Sequence, residues 1–192
     1  MKAVLLSIRP KWCSIISSGR KTVEVRKTIP KINVPFKCYI YCTKNAKNDP
    51  HSLLEVHATD GKIRKGNGKI IGEFVCDGID KFTPTPKGIS FKRFGALFDT
   101  QLSVGEIRAY LGSRVGYGWH ISELVIYDAP KELNCFLNPC LEYEKDYPQC
   151  GNCDYYHSMG EHPAECACDG KKPLRRPPQS WCYVEEKTTD GR

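Results

Sequence analysis

Short β-type segments separated by turn-rich stretches are the feature that most limits the folds open to this chain. Polar and apolar residues alternate over 22–26 and 37–43, as in half-buried strands. Further strands are predicted at 4–8, 69–76, 117–128 and 180–184, and short helices at 10–18 and 104–111. Ser103 and Glu106 have capping-box spacing at the start of the second helix. Because no strand–helix–strand rhythm is present, the 192 residues predict an α+β protein built on a small mixed barrel with short flanking helices.

Two long stretches between these elements are predicted to be irregular. Residues 44–68 are rich in Asn, Asp, Lys and Gly, which predicts an exposed loop, with a helical turn near Leu53 and Leu54. Residues 77–100 are interrupted by prolines and glycines and are predicted to form turns.

Charge is distributed unevenly along the chain. Residues 1–48 hold eleven Lys and Arg but a single acid, Glu24, whereas residues 131–170 hold eight Asp and Glu and two Lys. The basic part predicts an anionic partner such as RNA, DNA or a nucleotide phosphate; the alternative is a solvated surface. Because no apolar run approaches the roughly 20 residues of a membrane span and the first one is too short for a secretory signal, we expect a cytoplasmic protein with no membrane partner. We also expect a monomer.

The single acid lies in a compact basic motif, Gly-Arg-Lys-Thr-Val-Glu-Val-Arg at 19–26. The strand pattern predicts Thr22, Glu24 and Arg26 on one face, with Lys21 at the strand's entrance. In a concave site Glu24 would orient Lys21 and Arg26 and leave their other donors for a phosphate or a base edge. On an outer surface the same residues would form a salt-bridge ladder that contributes little.

This motif carries a resemblance to a known family. The pattern Gly-x-Lys-x-x-Glu-x-Arg, after a short helix that follows Leu-Ser-Ile-Arg-Pro, resembles that of ASCH domains, which are related to PUA RNA-binding domains. The segments at 117–121 and 176–184 are also similar to ASCH proteins of bacteriophages and prophages. The resemblance implies a PUA-like β-barrel with a pocket lined by Lys21, Glu24 and Arg26, which would bind RNA, a modified nucleoside or a nucleotide.

Other residues are candidates for the same pocket. Ser7 and Arg9 precede the first helix, and Trp119 offers a face on which a nucleobase could stack. Core packing is the alternative for Trp119, and the more expected one for Trp181, while His120 is predicted to be structural. The predicted ligand-binding set is Ser7, Arg9, Lys21, Thr22, Glu24, Arg26 and Trp119.

A second function follows from one ASCH branch that hydrolyses the amide of N4-acetylcytidine with a Lys, a Thr nucleophile and a Glu. Lys21 matches the lysine, and Glu73 is a reasonable match for the glutamate. Glu24 occupies the position of the nucleophile, and a carboxylate does not replace a hydroxyl without a different mechanism. If hydrolysis occurs, Lys21 would be the activator and Glu73 the proton shuttle.

Seven of the eleven cysteines lie in the last third of the chain. Cys150 and Cys153 form a Cys-x2-Cys knuckle, which suits one structural zinc ion. The first choice of ligands is Cys140, Cys150, Cys153 and Cys166, with Cys168 competing for the fourth place. A disulfide formed on oxidation and an iron–sulfur cluster are the alternatives.

These cysteines define the predicted domain organisation. Residues 1–130 and 173–187 would form the ASCH barrel, and 131–172 a zinc-knuckle-like insert that has too few apolar residues to fold without a metal. A third hypothesis makes the acidic insert a protein–protein adaptor. The cysteines of the first half are predicted to be small core residues: Cys13, Cys38, Cys42 and Cys76.

Overall fold

The fold consists mostly of β-strands with three short helices, as seen in a computed structural model that describes residues 3–44, 53–93, 95–139 and 171–187. In chain order the elements are β1 (Ala3–Ile8), α1 (Pro10–Ser17), β2 (Val23–Arg26), β3 (Phe36–Cys42), β4 (Glu55–His57), β5 (Ile63–Lys65), β6 (Ile70–Cys76), β7 (Ile79–Thr85), β8 (Gly88–Ser90), α2 (Ala96–Thr100), α3 (Val104–Leu111), β9 (Gly116–His120), β10 (Ser122–Lys131), β11 (Phe136–Pro139), β12 (Lys171–Pro173) and β13 (Trp181–Glu186). No helix among these is long and apolar enough to cross a bilayer.

The strands of the described residues form two sheets and a separate hairpin. The larger sheet has the order β10-β6-β3-β1-β13-β11-β12, the smaller has the order β2-β9-β7-β8, and β4 pairs with β5. The pair β1–β3 is parallel and the other pairs are antiparallel. The prediction of an α+β fold dominated by strands is confirmed, whereas one closed barrel is not seen in the described ranges.

The division into two sheets has a local cause near Ile121. The predicted single strand over 117–128 is two strands, of which β9 joins the smaller sheet and β10 the larger one. His120 donates its backbone N–H to Gly78 and Ile121 donates to Thr22, so the chain leaves the smaller sheet at this point. Ser122 already pairs with Val75 of β6, and Glu123, with a φ of 48°, lies in the irregularity of that pairing between Ser122 and Val125.

Both faces of the central strands of the larger sheet are buried. Val4, Leu6 and Ile40 belong to a core that also contains Trp119 of the smaller sheet. Leu5 and Tyr39 pack in a second core on the opposite face. A strand covered on both sides has no polar face, which explains the unbroken apolar run at the start of the sequence.

Two stretches predicted to be irregular contain strands. The end of the 44–68 stretch forms the β4–β5 hairpin, and Leu54 is buried beside it outside any helical turn. The 77–100 stretch contains β7, β8 and α2. Pro84 is tolerated in β7 because β9 pairs only as far as Phe82, so the missing N–H of Pro84 lies beyond that ladder.

The predicted start of α3 is confirmed in atomic detail. The Ser103 hydroxyl accepts from the Glu106 backbone N–H, and the Glu106 carboxylate accepts from the Ser103 backbone N–H. The helix ends at Gly112, whose φ of 64° suits a residue without a Cβ.

The described ends of the acidic segment lie side by side at the edge of the larger sheet. In the β11–β12 pair, Leu137 faces Pro173 and Asn138 faces Lys172, and β11 also pairs with β13. Phe136 is fully buried there. The first and last residues of the predicted 131–172 insert therefore form part of the sheet.

Candidate functional site

Lys21 is a buried cation held at the entrance of β2. After α1, Gly19 with a φ of 72° turns the chain, and the Lys21 backbone N–H donates to Ile15. The Lys21 Nζ donates to the carbonyls of Val23 at 2.9 Å and Thr100 at 2.6 Å, and lies 3.4 Å from Glu24 Oε2. Burial lowers the pKa of Lys21, and the neighbouring Glu24 carboxylate opposes that effect.

Glu24 connects this lysine to a second buried cation. Glu24 Oε1 lies 3.0 Å from Arg26 Nη2. The same Nη2 donates to the Ser7 carbonyl at 2.9 Å, and Nη1 donates to the Ser180 carbonyl at 3.3 Å. We call Lys21, Glu24 and Arg26 the charged triad; the three residues are only 1%, 8% and 5% exposed. The triad is therefore interior, which excludes a salt-bridge ladder on the outer surface.

Strand pairing explains why the triad is interior. In the β2–β9 ladder Glu24 faces Trp119, which packs between Phe36 and Trp181 with ring centroids 5.5 Å and 6.0 Å away. Val23 and Val25 point the other way, into a core formed with α2 and α3. The alternation of β2 thus sends its charged side chains between the two sheets.

Two buried donors in this interior have no acceptor among the described residues. They are the Nε–H of Arg26 and the indole Nε1–H of Trp119. An unpaired buried donor costs roughly 1–3 kcal/mol, so native proteins usually supply a partner from protein, water or a ligand. An acceptor supplied by a water molecule or by a ligand would satisfy these two donors.

Two aromatic side chains on α1 and α3, which the sequence reasoning did not select, contact lysines in the triad or directly after it in the chain. The Trp12 ring centroid lies 4.5 Å from Lys11 Nζ and 5.3 Å from Lys21 Nζ. Tyr110 on α3 is 40% exposed, and Lys27 Nζ lies 4.9 Å from its ring centroid. The sequence offers a cue for the first pair only, because Lys11 directly precedes Trp12. Lys27 and Tyr110 are far apart in the chain, and no local pattern connects them.

The pKa of the Tyr110 phenol on α3 responds to charges of the triad. Burial raises the pKa of Tyr110, and the nearby charge of Arg26 opposes that rise. Glu24 and Arg9 also act on this phenol. The charges of Arg26, Glu24 and Arg9 therefore act on the Tyr110 phenol.

Three other predicted ligand-binding residues have different surroundings. Ser7 donates its hydroxyl to the Pro178 carbonyl at 2.6 Å, so its contribution to the triad is the carbonyl that Arg26 binds. Arg9 is exposed at the start of α1. Thr22 is exposed and precedes β2; its backbone N–H donates to the Asp99 carbonyl and its own carbonyl accepts from the Ile121 N–H, so its place in the ligand-binding set stays a prediction.

Trp119, the last of the predicted set, is fully buried in the core between the sheets. Its ring is therefore packed in the core, as the alternative predicted, and its indole N–H has no acceptor within the described ranges. Trp181 donates its own indole N–H to Thr28 at 2.9 Å. His120 contacts Asp80 at 3.0 Å, in agreement with a structural role.

Glu73 is not brought together with Lys21 and Glu24. In β6, Phe74 faces the core between the sheets, so Glu73 lies on the opposite face, next to Tyr39 of β3. There it contacts Lys37 Nζ at 2.8 Å and accepts from the Tyr127 hydroxyl. The pKa of Glu73 is lowered. Partial burial acts to raise it, but the contacts with Lys37 and Tyr127 act in the opposite direction and outweigh the burial.

The predicted zinc ligands Cys140, Cys150, Cys153, Cys166 and Cys168 lie outside the described residues. Among the residues that are described, no three His, Cys, Asp or Glu side chains cluster as a metal site would require. The prediction for the first half of the chain is confirmed, since its cysteines are buried free thiols: Cys13, Cys38, Cys42 and Cys76. Burial raises the pKa of the Cys76 thiol to about 12.

Comparisons with known proteins agree with this architecture. No family model and no curated protein matches the sequence. Among solved structures, the ASCH protein of Zymomonas mobilis is similar over 95% of this chain and 87% of its own, with 15% identity and a TM-score of 0.51. A single-residue variant of that protein covers 95% of this chain and 88% of its own, with 15% identity and a TM-score of 0.49. The chain therefore has the fold of ASCH domains.

Proposed function

We propose that this protein binds RNA, a modified nucleoside or a nucleotide, with one nucleobase placed beside the charged triad. The observation that carries the proposal is the pair of buried donors, Arg26 Nε and Trp119 Nε1, for which the described part of the chain supplies no acceptor. Nucleobase edges carry carbonyl oxygens and ring nitrogens, which are acceptors of the kind that these donors lack. The ASCH fold and the excess of basic residues in the first part of the chain support the same class of ligand.

The donors of the triad favour a base over a phosphate at the buried position. Both Nη atoms of Arg26 are bonded to carbonyls or to Glu24, and Lys21 Nζ is surrounded by two carbonyls and Glu24. A phosphate needs several free donors, and the Glu24 carboxylate would repel it. We therefore propose that an uncharged base occupies the buried position beside the triad, and that any phosphate of the ligand contacts exposed cations such as Arg9 and Lys27.

Mass spectrometry of material that copurifies with the intact protein tests the proposal, together with calorimetric titration of nucleosides, nucleotides and short RNA. Trp119→Phe removes the unpartnered N–H and keeps an aromatic ring, so we expect weaker binding. The matched control is Trp181→Phe, which removes an indole N–H that already has an acceptor and should leave the affinity unchanged. Absence of any nucleic acid, nucleotide or nucleoside binding at low salt would refute the proposal.

One observation favours a second function, hydrolysis of an N4-acetylcytidine-type amide. Burial lowers the pKa of Lys21, which would make this amine a better proton acceptor. The position of Glu73 on the other face of β6 weighs against a Lys21–Glu24–Glu73 group. Release of acetate from N4-acetylcytidine by the wild-type protein, lost in Lys21→Ala, would support hydrolysis.

We further propose, from the cysteine spacing, that Cys140, Cys150, Cys153 and Cys166 or Cys168 bind one structural zinc ion. Metal analysis of the purified protein should find one zinc per chain. A metal-free protein whose thiols all titrate would refute this assignment.

A third candidate function is that of a protein–protein adaptor that binds its partner through the acidic segment. Phosphate contacts weaken steeply with ionic strength, so salt-dependent binding of RNA supports the first function. A protein partner that is lost when residues 140–170 are removed would support the adaptor.

A further inference from the structure

Two lysine–aromatic pairs lie near the charged triad, since Trp12 is 5.3 Å from Lys21 Nζ and Lys27 directly follows Arg26. One pair is Lys11 with Trp12 on α1, and the other is Lys27, directly after β2, with Tyr110 on α3. We call them the flanking pairs. Lys11 and Lys27 are exposed, Trp12 is half-buried and Tyr110 is 40% exposed, so each pair is accessible from outside.

Charged residues of the triad and of α1 act electrostatically on the part of α3 that carries Tyr110. Arg26, Glu24 and Arg9 all influence the Tyr110 phenol, and Lys11 and Lys21 both influence Glu106, one helical turn before Tyr110 on α3. Glu106 is a second acid of this region besides Glu24, and its carboxylate already accepts hydrogen bonds from Ser103.

Such pairs have the chemistry of a single-strand binding surface. Proteins that hold single strands combine cations that follow the phosphates with aromatic rings on which successive bases stack. A protein that binds one free nucleoside in a buried site has no use for two further stacking positions outside that site.

We propose that the ligand is an extended single strand: one base lies beside the charged triad, and the neighbouring nucleotides stack on Trp12 and Tyr110 while Lys11 and Lys27 contact their phosphates. This inference rests on the proposed function and narrows its ligand from a nucleoside to an oligonucleotide. RNA and single-stranded DNA share the stacking and phosphate chemistry, so the test contains both.

The test measures fluorescence anisotropy of oligouridylates and oligothymidylates of one to six nucleotides, with uridine and thymidine as competitors. Affinity should increase with length up to at least three nucleotides. Loss of one stacking ring should weaken the six-nucleotide ligand by about 5- to 140-fold, for Trp12→Ala and for Tyr110→Ala, and should leave nucleoside competition unchanged. Trp12→Phe and Tyr110→Phe should restore most of the affinity.

Phe98→Ala is the matched control, because Phe98 is 76% exposed on α2 and has no place in the flanking pairs. Each of Lys11→Ala and Lys27→Ala should reduce the slope of log affinity against log salt by about 1. Tyr110→Ala keeps the test valid if Trp12→Ala perturbs folding, since the Tyr110 ring is the more exposed of the two.

The outcomes separate this inference from the proposed function. Binding of a nucleoside without any gain from added nucleotides overturns the inference alone, as does a Tyr110→Ala effect no larger than that of Phe98→Ala. Failure of every nucleoside and oligonucleotide to bind overturns both. A preference for the RNA series over the DNA series would indicate contacts with the 2′-hydroxyl.

Discussion

Replacing Glu24 by Gln is the sharpest perturbation of the interior, because it leaves two buried cations without their common counter-charge. The carboxylate lies 3.4 Å from Lys21 Nζ and 3.0 Å from Arg26 Nη2. Its side chain and those of its partners are at most a tenth exposed, so water screens the interaction weakly. Loss of one partner from a buried ion pair costs about 3–5 kcal/mol, so we expect Glu24→Gln to lower the free energy of unfolding by that amount at pH 7.

The pH dependence of this loss has a defined sign. Burial lowers the pKa of Lys21 in the folded protein and Glu24 opposes it, so removing Glu24 should lower that pKa further. Between the folded and unfolded pKa values the unfolded chain binds more protons, so the free energy of unfolding rises with pH. In Glu24→Gln the pH range in which stability rises begins at a lower pH. We therefore expect the difference in the free energy of unfolding between variant and wild type to shrink between pH 7 and pH 9.5.

Urea unfolding followed by tryptophan fluorescence at several pH values measures both effects. Glu73→Gln is the control, since its carboxylate is 24% exposed and its partner Lys37 is 41% exposed; such a pair contributes about 1 kcal/mol or less. The double variant Lys21→Met/Glu24→Gln should regain part of the lost stability. A loss below about 1 kcal/mol for Glu24→Gln, or one that grows with pH, would show that the triad is not a buried ionic unit.

Four further predictions use the same unfolding assay or a thiol titration. Ser103→Ala removes the cap of α3 and should cost about 1 kcal/mol; an unchanged urea midpoint would contradict the cap's role. A Cβ at Gly118 would lie 2.5 Å from the Phe82 ring, so Gly118→Ala should destabilise the smaller sheet by about 1–3 kcal/mol. At Gly105, in α3, the nearest atom is 3.9 Å away, and Gly105→Ala should stabilise by about 0.5–1 kcal/mol. With a thiol pKa of about 12 and no exposed surface, Cys76 should react with a disulfide reagent at pH 8 only after unfolding, and rapid modification of the folded protein would count against its burial.

Elements with local cues could be predicted from the sequence. Ser103, Glu106 and Gly112 define α3 by themselves, because a cap and a helix stop need only neighbouring residues. The short strands β4, β5, β7 and β8 were missed, since β4, β5 and β8 are only three residues long, too short to show an alternation, and Pro84 interrupts β7. The break at Ile121 has no Gly or Pro to mark it and depends on the Thr22 carbonyl, about a hundred positions earlier.

The candidate site was predictable in composition but not in position. A lone Glu24 among cations is visible in the sequence, yet its burial depends on pairing with β9. The carbonyl of Ser180 that holds Arg26 comes from 154 positions away, which no local pattern reveals. The position of Glu73 has no local signal either, because apolar residues such as Phe74 and Val75 occur at successive positions of β6.

The order of the larger sheet has a consequence for how the protein is made. β1 lies between β3 and β13, with Ala3 paired to Val184 and Leu6 to Trp181, so one side of the first strand stays open until the last has been synthesised. At translation rates of roughly 5–20 residues per second this wait lasts about 10–35 s. During that time an apolar strand presents an unpaired edge, which is a template for aggregation. The nascent protein should therefore depend on chaperones at this stage more than its length alone would suggest, and ribosome-bound chains that stop before β13 should lack a complete charged interior.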